Sequence, residues 1–212
     1  MPETIGLLDG LATTRSIRRF RPDPIPDELL RSVLKAATWA PSGSNTQAWR
    51  FVVVRDPDKR RQIGQLYRAA VFEFYSPERL ASETDVARQR MNAGAIYLAE
   101  HIGTEPPVLV IFCREAASAS PAGYREWTSG ASIYPAVQNL LLAARASGLG
   151  GCLTTLHLRY EAEVKDLLGI PKSVDTYALV PLGYPRDRFG PLRRRPVEDV
   201  TYLDAWGIKL PG

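Results

Sequence analysis

Apolar residues recur at three- and four-residue spacing through Leu29, Leu30, Val33, Leu34 and Ala37, within PDPIPDELLRSVLKAATWAPSG, and this stripe predicts a helix. Asp27 and Glu28 place negative charge at its start, and Pro41 stops it. The period then changes. WRFVVVRDP is a β-branched and aromatic run ending at a turn, which predicts a strand. A helix is expected around 57–71, whereas the arginine-rich segment 73–92 has no clean period and reads as helical or mobile cover. AGAIYLAEHI reads as helix and PPVLVIFCRE as a buried strand. Residues 129–147 form the most hydrophobic helix, with Pro135 either kinking it or marking an early turn. GLGGCLTT predicts a turn into a short strand, RYEAEVKDLLGIP a helix stopped by Gly169 and Pro171, and VDTYALVPLGYP a further strand. From Asp187 onward the chain is basic and extended, an arm rather than a core element.

No internal repeat, low-complexity tract or linker divides the sequence, so residues 1–212 are expected to form a single domain. Helices interspersed with three or four short strands predict an α+β fold, a single layer around one sheet. Regular βαβ units are missing, which argues against a doubly wound dinucleotide-binding domain. With 212 residues and 45% apolar content the chain can bury a full core. The net charge of +4, mostly arginine, favours anionic ligands but is too small and scattered to indicate nucleic acid. Cys113 and Cys152 lack CxxC spacing and read as buried thiols. Neither a signal-peptide pattern nor a membrane-length apolar run is present, so a cytoplasmic location without a membrane partner is expected. The two histidines, His101 and His157, have no zinc set or hydrolase triad around them, and no metal site is expected. Enzymatic chemistry in such a chain would rest on a cofactor.

Four stretches carry candidate chemistry. In TTRSIRRF, a helical turn would put Arg15, Arg18 and Arg19 on one face. An extended segment would put Arg15 and Arg19 on one side, with Ser16 and Arg18 on the other. Either arrangement offers guanidinium forks and a hydroxyl suited to phosphate, although solvated charge beside a helix end explains the run equally well. APSGSNTQAWRFVVV begins with a short loop whose side chains nearly all hydrogen-bond, an array that would suit the edge of a flat heterocycle. In GLGGCLTTLH the order is helix, glycines, strand, not the strand–GxGxxG–helix order of a dinucleotide fingerprint. Thr154 and Thr155 there could donate to a ligand or face a neighbouring strand. The fourth stretch, GPLRRRPVEDV, is held extended by Pro196; it reads either as a solvated tail or as a second basic element.

Taken in this order and spacing, the four stretches resemble the nitroreductase family of FMN-dependent oxidoreductases over nearly the whole chain. The resemblance implies a nitroreductase-like α+β fold with a central, mostly antiparallel sheet flanked by helices. It also implies an intertwined homodimer in which the C-terminal arm of one subunit reaches over the other. Arg15, Ser16 and Arg18 match the basic motif that holds the FMN phosphate and ribityl chain, and Arg19 is an additional basic candidate. Ser42 and Gly43 match the loop that meets the flavin, with Pro41, Asn45 and Gln47 close by and Ser44 on the substrate side. Leu153, Thr154 and Thr155 match the segment along the flavin near N5, where the Thr155 hydroxyl is a candidate hydrogen-bond partner; Arg194 matches the late basic residue at the phosphate. Segment 67–95, with Tyr67, Phe72, Phe74 and Tyr75, is the expected lid or pocket wall, and Tyr75 a candidate substrate contact. The implied reaction passes a hydride from NAD(P)H through flavin N5 to a nitroaromatic, quinone or similar conjugated electrophile, with no catalytic side-chain base. Reductive dehalogenation or flavin fragmentation on the same scaffold, and flavin storage without turnover, stand as alternatives.

Overall fold

The structure is a computed structural model that describes residues 5–115, 128 and 130–209. Its centre is the strand pair β2 (Val108–Glu115) and β4 (Val174–Gly183). β2 is apolar and buried along its first six residues, and β4 is apolar and buried from Ala178 to its end. A strand of this kind must be covered on two faces, not one. Val110 and Phe112 of β2, with Ala178 and Val180 of β4, meet α2 (Asp27–Ala37) and α6 (Tyr134–Ala146) through Leu30, Val33, Val137 and Leu140. Leu109 and Ile111 of β2, with Leu179 of β4, meet α3 (Pro57–Phe74) and α5 (Val86–His101) through Ile63, Tyr67, Leu98 and Ile102. Helices therefore lie on both sides of the sheet, the flanked arrangement that the family resemblance implied and that the element order, read as a single layer, did not.

The sheet is antiparallel throughout, in the order β1-β2-β4-β3, with β1 at Trp49–Val54 and β3 reduced to Gly150–Gly151. A bulge interrupts the β2–β4 register after Phe112, which pairs with Ala178 while Cys113 pairs with Thr176. On one flank, α3 and the end of α5 touch backbone to backbone. A Cβ on Gly64 would stand 2.8 Å from Gly103 Cα, so neither glycine tolerates a side chain there without displacement.

The remaining elements follow from their termini. α1 spans Leu7–Thr13. Segment 73–92 resolves into the end of α3, a short α4 at Pro77–Ala81 and the start of α5. Its helix starts are capped locally: Ser76 Oγ accepts from the Arg79 amide, and Asp85 accepts from Ala87 and Arg88. Pro135 sits in the first turn of α6 rather than kinking it, so that helix begins at Tyr134 and not at 129; Ser129 itself lies outside the described residues. A 3-10 turn at Leu156–Tyr160 precedes α7 (Glu161–Leu168), whose end is set by Gly169 at φ 66°. The arm from Asp187 has no strand in it: a 3-10 turn at Val197–Asp199 and a bridge between Tyr202 and Lys209 are its local structure, and its last residues, 210–212, lie outside the described part.

His157, in that 3-10 turn, is 1% exposed, and neither ring nitrogen has a hydrogen-bond partner among the described residues. Burial pushes its pKa down to about 4, against a smaller opposing pull from Glu161. Between pH 6.5 and 4 the unfolded chain binds a proton at this residue that the folded chain refuses. Its stabilisation is complete above pH 6.5 and is lost as pH falls towards 4, by about 3 kcal/mol at most. Urea unfolding at stepped pH is expected to show this slope in the wild type and to lose that part of it in His157→Phe. Identical slopes in the two proteins would contradict it.

Candidate functional site

The arginine segment leaves α1 after Thr13 and is not helical. It is pinned from inside by Ile17 and Phe20, 3% and 0% exposed. The Ile17 amide donates to the Gly151 carbonyl at 3.0 Å, and Phe20 bridges Pro185. This close approach needs the glycines of GLGG: a Cβ on Gly150 would stand 2.6 Å from Ile17 Cγ1, and one on Gly151 would stand 2.7 Å from the Pro181 carbonyl oxygen. Farther along, Glu105 accepts from the Phe20 amide and the Tyr97 hydroxyl, and Arg186 bonds both Glu105 and the Phe20 carbonyl.

With positions 17 and 20 turned inward, Arg15, Ser16 and Arg18 line one cavity of about 410 Å³ together with Met91 and residues 191–194. A second cavity of about 300 Å³ shares Arg15, Ser16, Leu192 and Arg194 with it and extends along Gly151, Cys152 and Leu153 to Gln138 and Leu141 of α6. Arg18 lies over Gly94 of α5, where a Cβ would meet its side chain at 3.6 Å. The arm reaches the cavities by running back along α1: the Leu192 amide donates to the Ala12 carbonyl, and Arg145 packs over Phe189 while donating to Thr13 Oγ1. Arg15, Arg18 and Arg194 form no ion pair among the described residues. Arg19 lines neither cavity. Its guanidinium lies 4.6 Å over the Tyr97 ring.

The neighbouring turn separates the two threonines. Thr154 exchanges backbone hydrogen bonds with Leu179, and its hydroxyl lies 3.1 Å from the Tyr67 hydroxyl, so it faces inward. Thr155 is exposed, lines neither cavity, and its hydroxyl has no partner among the described residues; Leu153, two positions before it, is 40% exposed and lines the second cavity. Burial pushes the Tyr67 phenol up to about 12 and the Cys152 thiol up to about 11, so both stay protonated at neutral pH. Cys152 is a packing residue rather than a nucleophile.

The loop after α2 is strained. Ser44, Asn45 and Gln47 have φ of 51°, 52° and 49°, a left-handed conformation uncommon for residues other than glycine. The loop is held by the Gln47 amide donating to Ser42 Oγ at 3.0 Å and by the Gly43 amide donating to Ser132 Oγ at 3.1 Å. Arg50 donates to the Gln47 carbonyl and pairs with Glu115, which ties the loop to β1 and β2. Pro41, Ser42, Gly43, Ser44, Asn45 and Gln47 line neither arginine cavity. Nor does Tyr75 line either: its ring packs edge-on against Phe74, 4.9 Å between centroids. Ser132, Gln138 and the Glu105–Arg186 pair were not singled out from the sequence; only the glycines flanking Ile17's contact carried any signal there. Among the described residues no His, Cys, Asp and Glu cluster suits a metal ion, and no helix is long and apolar enough to cross a membrane.

The chain is 34% identical over 209 residues to a Thermus thermophilus protein named NADH dehydrogenase, covering 95% of this chain and 98% of that one. It is 32% identical over 179 residues to iodotyrosine deiodinase 1 of Rattus norvegicus, covering 82% of this chain and 60% of the relative. A crystal structure of oxidized iodotyrosine deiodinase bound to FMN and 3-iodo-L-tyrosine superposes with a TM-score of 0.71 at 27% identity, covering 90% of this chain and 96% of that one. The model of the nitroreductase family matches residues 11–184, which span the arginine segment, the strained loop, the sheet and the threonine turn: the chain belongs to the nitroreductase family.

Proposed function

We propose that the chain is an FMN-dependent oxidoreductase that takes electrons from NAD(P)H and passes them to a conjugated electrophile such as a nitroaromatic or a quinone. The observation that carries this reading is the convergence of Arg15, Ser16, Arg18 and Arg194 on cavities that continue to Leu153, two positions before Thr155, with no carboxylate paired to those arginines among the described residues. The donor set fits the cofactor. Guanidinium forks and a serine hydroxyl suit a phosphate dianion, and each charge-assisted bond contributes about 1.5–3 kcal/mol. The cavity continues past them along Gln138, Leu141, Cys152 and Leu153, a mixed polar and apolar wall for a ring with polar edges. Thr155 has a hydroxyl free to hydrogen-bond the ring edge near N5. When bound, FMN supplies the hydride transfer between NAD(P)H and the acceptor. The protein's part is to bind and orient. No histidine lines either cavity, and His157 is buried and neutral, so no imidazole is assigned to proton transfer.

Arg19 has no part in the phosphate grip in this reading, because its guanidinium is engaged by Tyr97. The loop with Pro41, Ser42, Gly43, Ser44, Asn45 and Gln47 is supplied to the flavin by a second copy of the chain in a homodimer. Two features support this. The loop is exposed and strained yet lines neither arginine cavity of its own chain, and the arm displays Val197, Val200, Leu203, Trp206 and Ile208 to solvent, with Trp206 89% exposed. Apolar side chains in that number call for a covering surface. A second reading, reductive dehalogenation, is favoured by the deiodinase relatives and by the 3-iodo-L-tyrosine in the similar structure.

The test is to reduce the purified protein anaerobically with NADH or NADPH and then add a nitroaromatic, a quinone or a halogenated tyrosine. Flavin absorbance is expected to bleach and to return with the first two acceptors. Return with the halogenated tyrosine alone would select dehalogenation, and no bleaching would overturn the oxidoreductase reading.

Two expected outcomes follow for binding. Arg15→Ala is expected to weaken FMN binding about 10- to 150-fold, in proportion to one lost charge-assisted bond, and to do so at high salt as well as low. Arg21→Ala is expected to change little, since Arg21 pairs with Asp23 and packs over Tyr184. Equal weakening that vanishes at high salt would reduce the segment to a diffuse basic surface. Removal of residues 190–212 is expected to convert a dimer into a monomer and to lose flavin; light scattering and flavin content check it, and a flavin-loaded truncated dimer would contradict the role given to the arm.

A further inference from the structure

Thr155 is held in place from its two neighbours. Thr154 on one side is fixed to β4 by reciprocal backbone hydrogen bonds with Leu179, at 3.0 and 2.9 Å. On the other side the Leu156 amide donates to Thr154 Oγ1 at 3.4 Å, a contact that spans Thr155, and the Thr155 carbonyl accepts from Leu158 at 3.0 Å. The node of this turn is therefore the Thr154 hydroxyl. One side-chain partner reaches it from another element: the Tyr67 hydroxyl, 3.1 Å away, on a residue of α3 that is 3% exposed. A buried phenol and a half-buried hydroxyl that satisfy each other fix direction as well as contributing energy, because the phenol has few alternative partners. Six residues along the same helix, Glu73 accepts from Arg159 and Tyr160, so α3 is tied to the threonine turn at two points.

We propose that Tyr67 is a positioning residue for the flavin: through Thr154 it sets the direction in which the Thr155 hydroxyl is presented, and so tunes the redox potential of the bound cofactor. The proposal rests on the FMN reading above and assigns Tyr67 no contact with flavin or substrate. Its physical content is a lever of three hydroxyl-bearing residues. A hydrogen bond from Thr155 that strengthens in one oxidation state shifts the potential towards that state, and its strength depends steeply on distance and angle. Loss of the Tyr67 hydroxyl leaves Thr154 Oγ1 held only by the Leu156 amide, and lets the turn relax.

The test is a double-mutant cycle on the FMN-loaded full-length protein with Tyr67→Phe and Thr155→Ala, reading flavin midpoint potential, FMN dissociation constant and melting temperature. Tyr67→Phe keeps the ring and its packing. It is expected to hold FMN within about threefold of wild type and to melt close to it, yet to shift the potential in the same direction as Thr155→Ala. The double variant is expected to match Thr155→Ala alone, because the lever acts through that residue. Thr154→Val, which removes the same bond from its other end, is expected to reproduce Tyr67→Phe and serves in its place should that variant fail to fold. An unchanged potential in both Tyr67→Phe and Thr154→Val, or shifts that add in the double variant, would overturn the proposal and leave the FMN reading intact. A wild type that binds no FMN, or an unchanged potential in Thr155→Ala, overturns the assignment of the site and this inference with it.

Discussion

Three guanidinium groups, from Arg15, Arg18 and Arg194, face cavities in which none of them forms an ion pair among the described residues. Like charges brought together repel, which a fixed backbone can hold against and a bound anion would offset. The fixing is visible. Ile17 and Phe20 are buried in the core beside α3 and α5, the Ile17 amide is bonded to Gly151, and Glu105 with Arg186 closes the far end. Arg194 arrives from the opposite end of the sequence along α1. The site is thus a junction of the chain's two ends over the edge of the sheet, and the charge is what that junction concentrates.

The glycines of β3 show how the core and the site depend on one another. β2 and β4 need cover on both faces, and that requirement brings α3 and α5 beneath the sheet and α2 and α6 above it. β3 is only two glycines long because Ile17 on one side and Pro181 on the other leave no room for a side chain. Side chains there would push the arginine segment off the sheet. The same tight edge turns Thr154 inward onto Tyr67 and leaves Thr155 outward, so one strand end separates an inward-facing threonine from an exposed one.

Much of this was legible in the sequence. The stripe of α2, the apolar runs of β2 and β4 and the stop at Gly169 were all readable, because each is set by local periodicity or a local breaker. Helix cover on the sheet followed from the family resemblance and not from the element pattern, although the apolar run of β2 already called for it. The start of α6 was placed too early because Pro135 favours a first turn as readily as a kink. Arg15, Ser16, Arg18, Leu153 and Arg194 line the two cavities and Arg19 does not, since neither an ideal helix nor an ideal strand describes a segment whose register is imposed by two buried side chains three positions apart. Pairings such as Glu105 with Arg186, or Gly43 with Ser132, join residues more than eighty positions apart and leave no local trace. The loop at 41–47 was legible as a polar array, yet it lines neither arginine cavity of its own chain.

The central claim is that the arginine junction exists for a phosphate, with the flavin ring a consequence of where that phosphate is held. FMN and riboflavin differ by that group alone. Dissociation constants of the two flavins, measured on the same flavin-free preparation, therefore test the claim most directly. The account predicts that FMN binds at least about a hundredfold more tightly than riboflavin, as loss of two or more charge-assisted bonds requires. Equal affinities would contradict it.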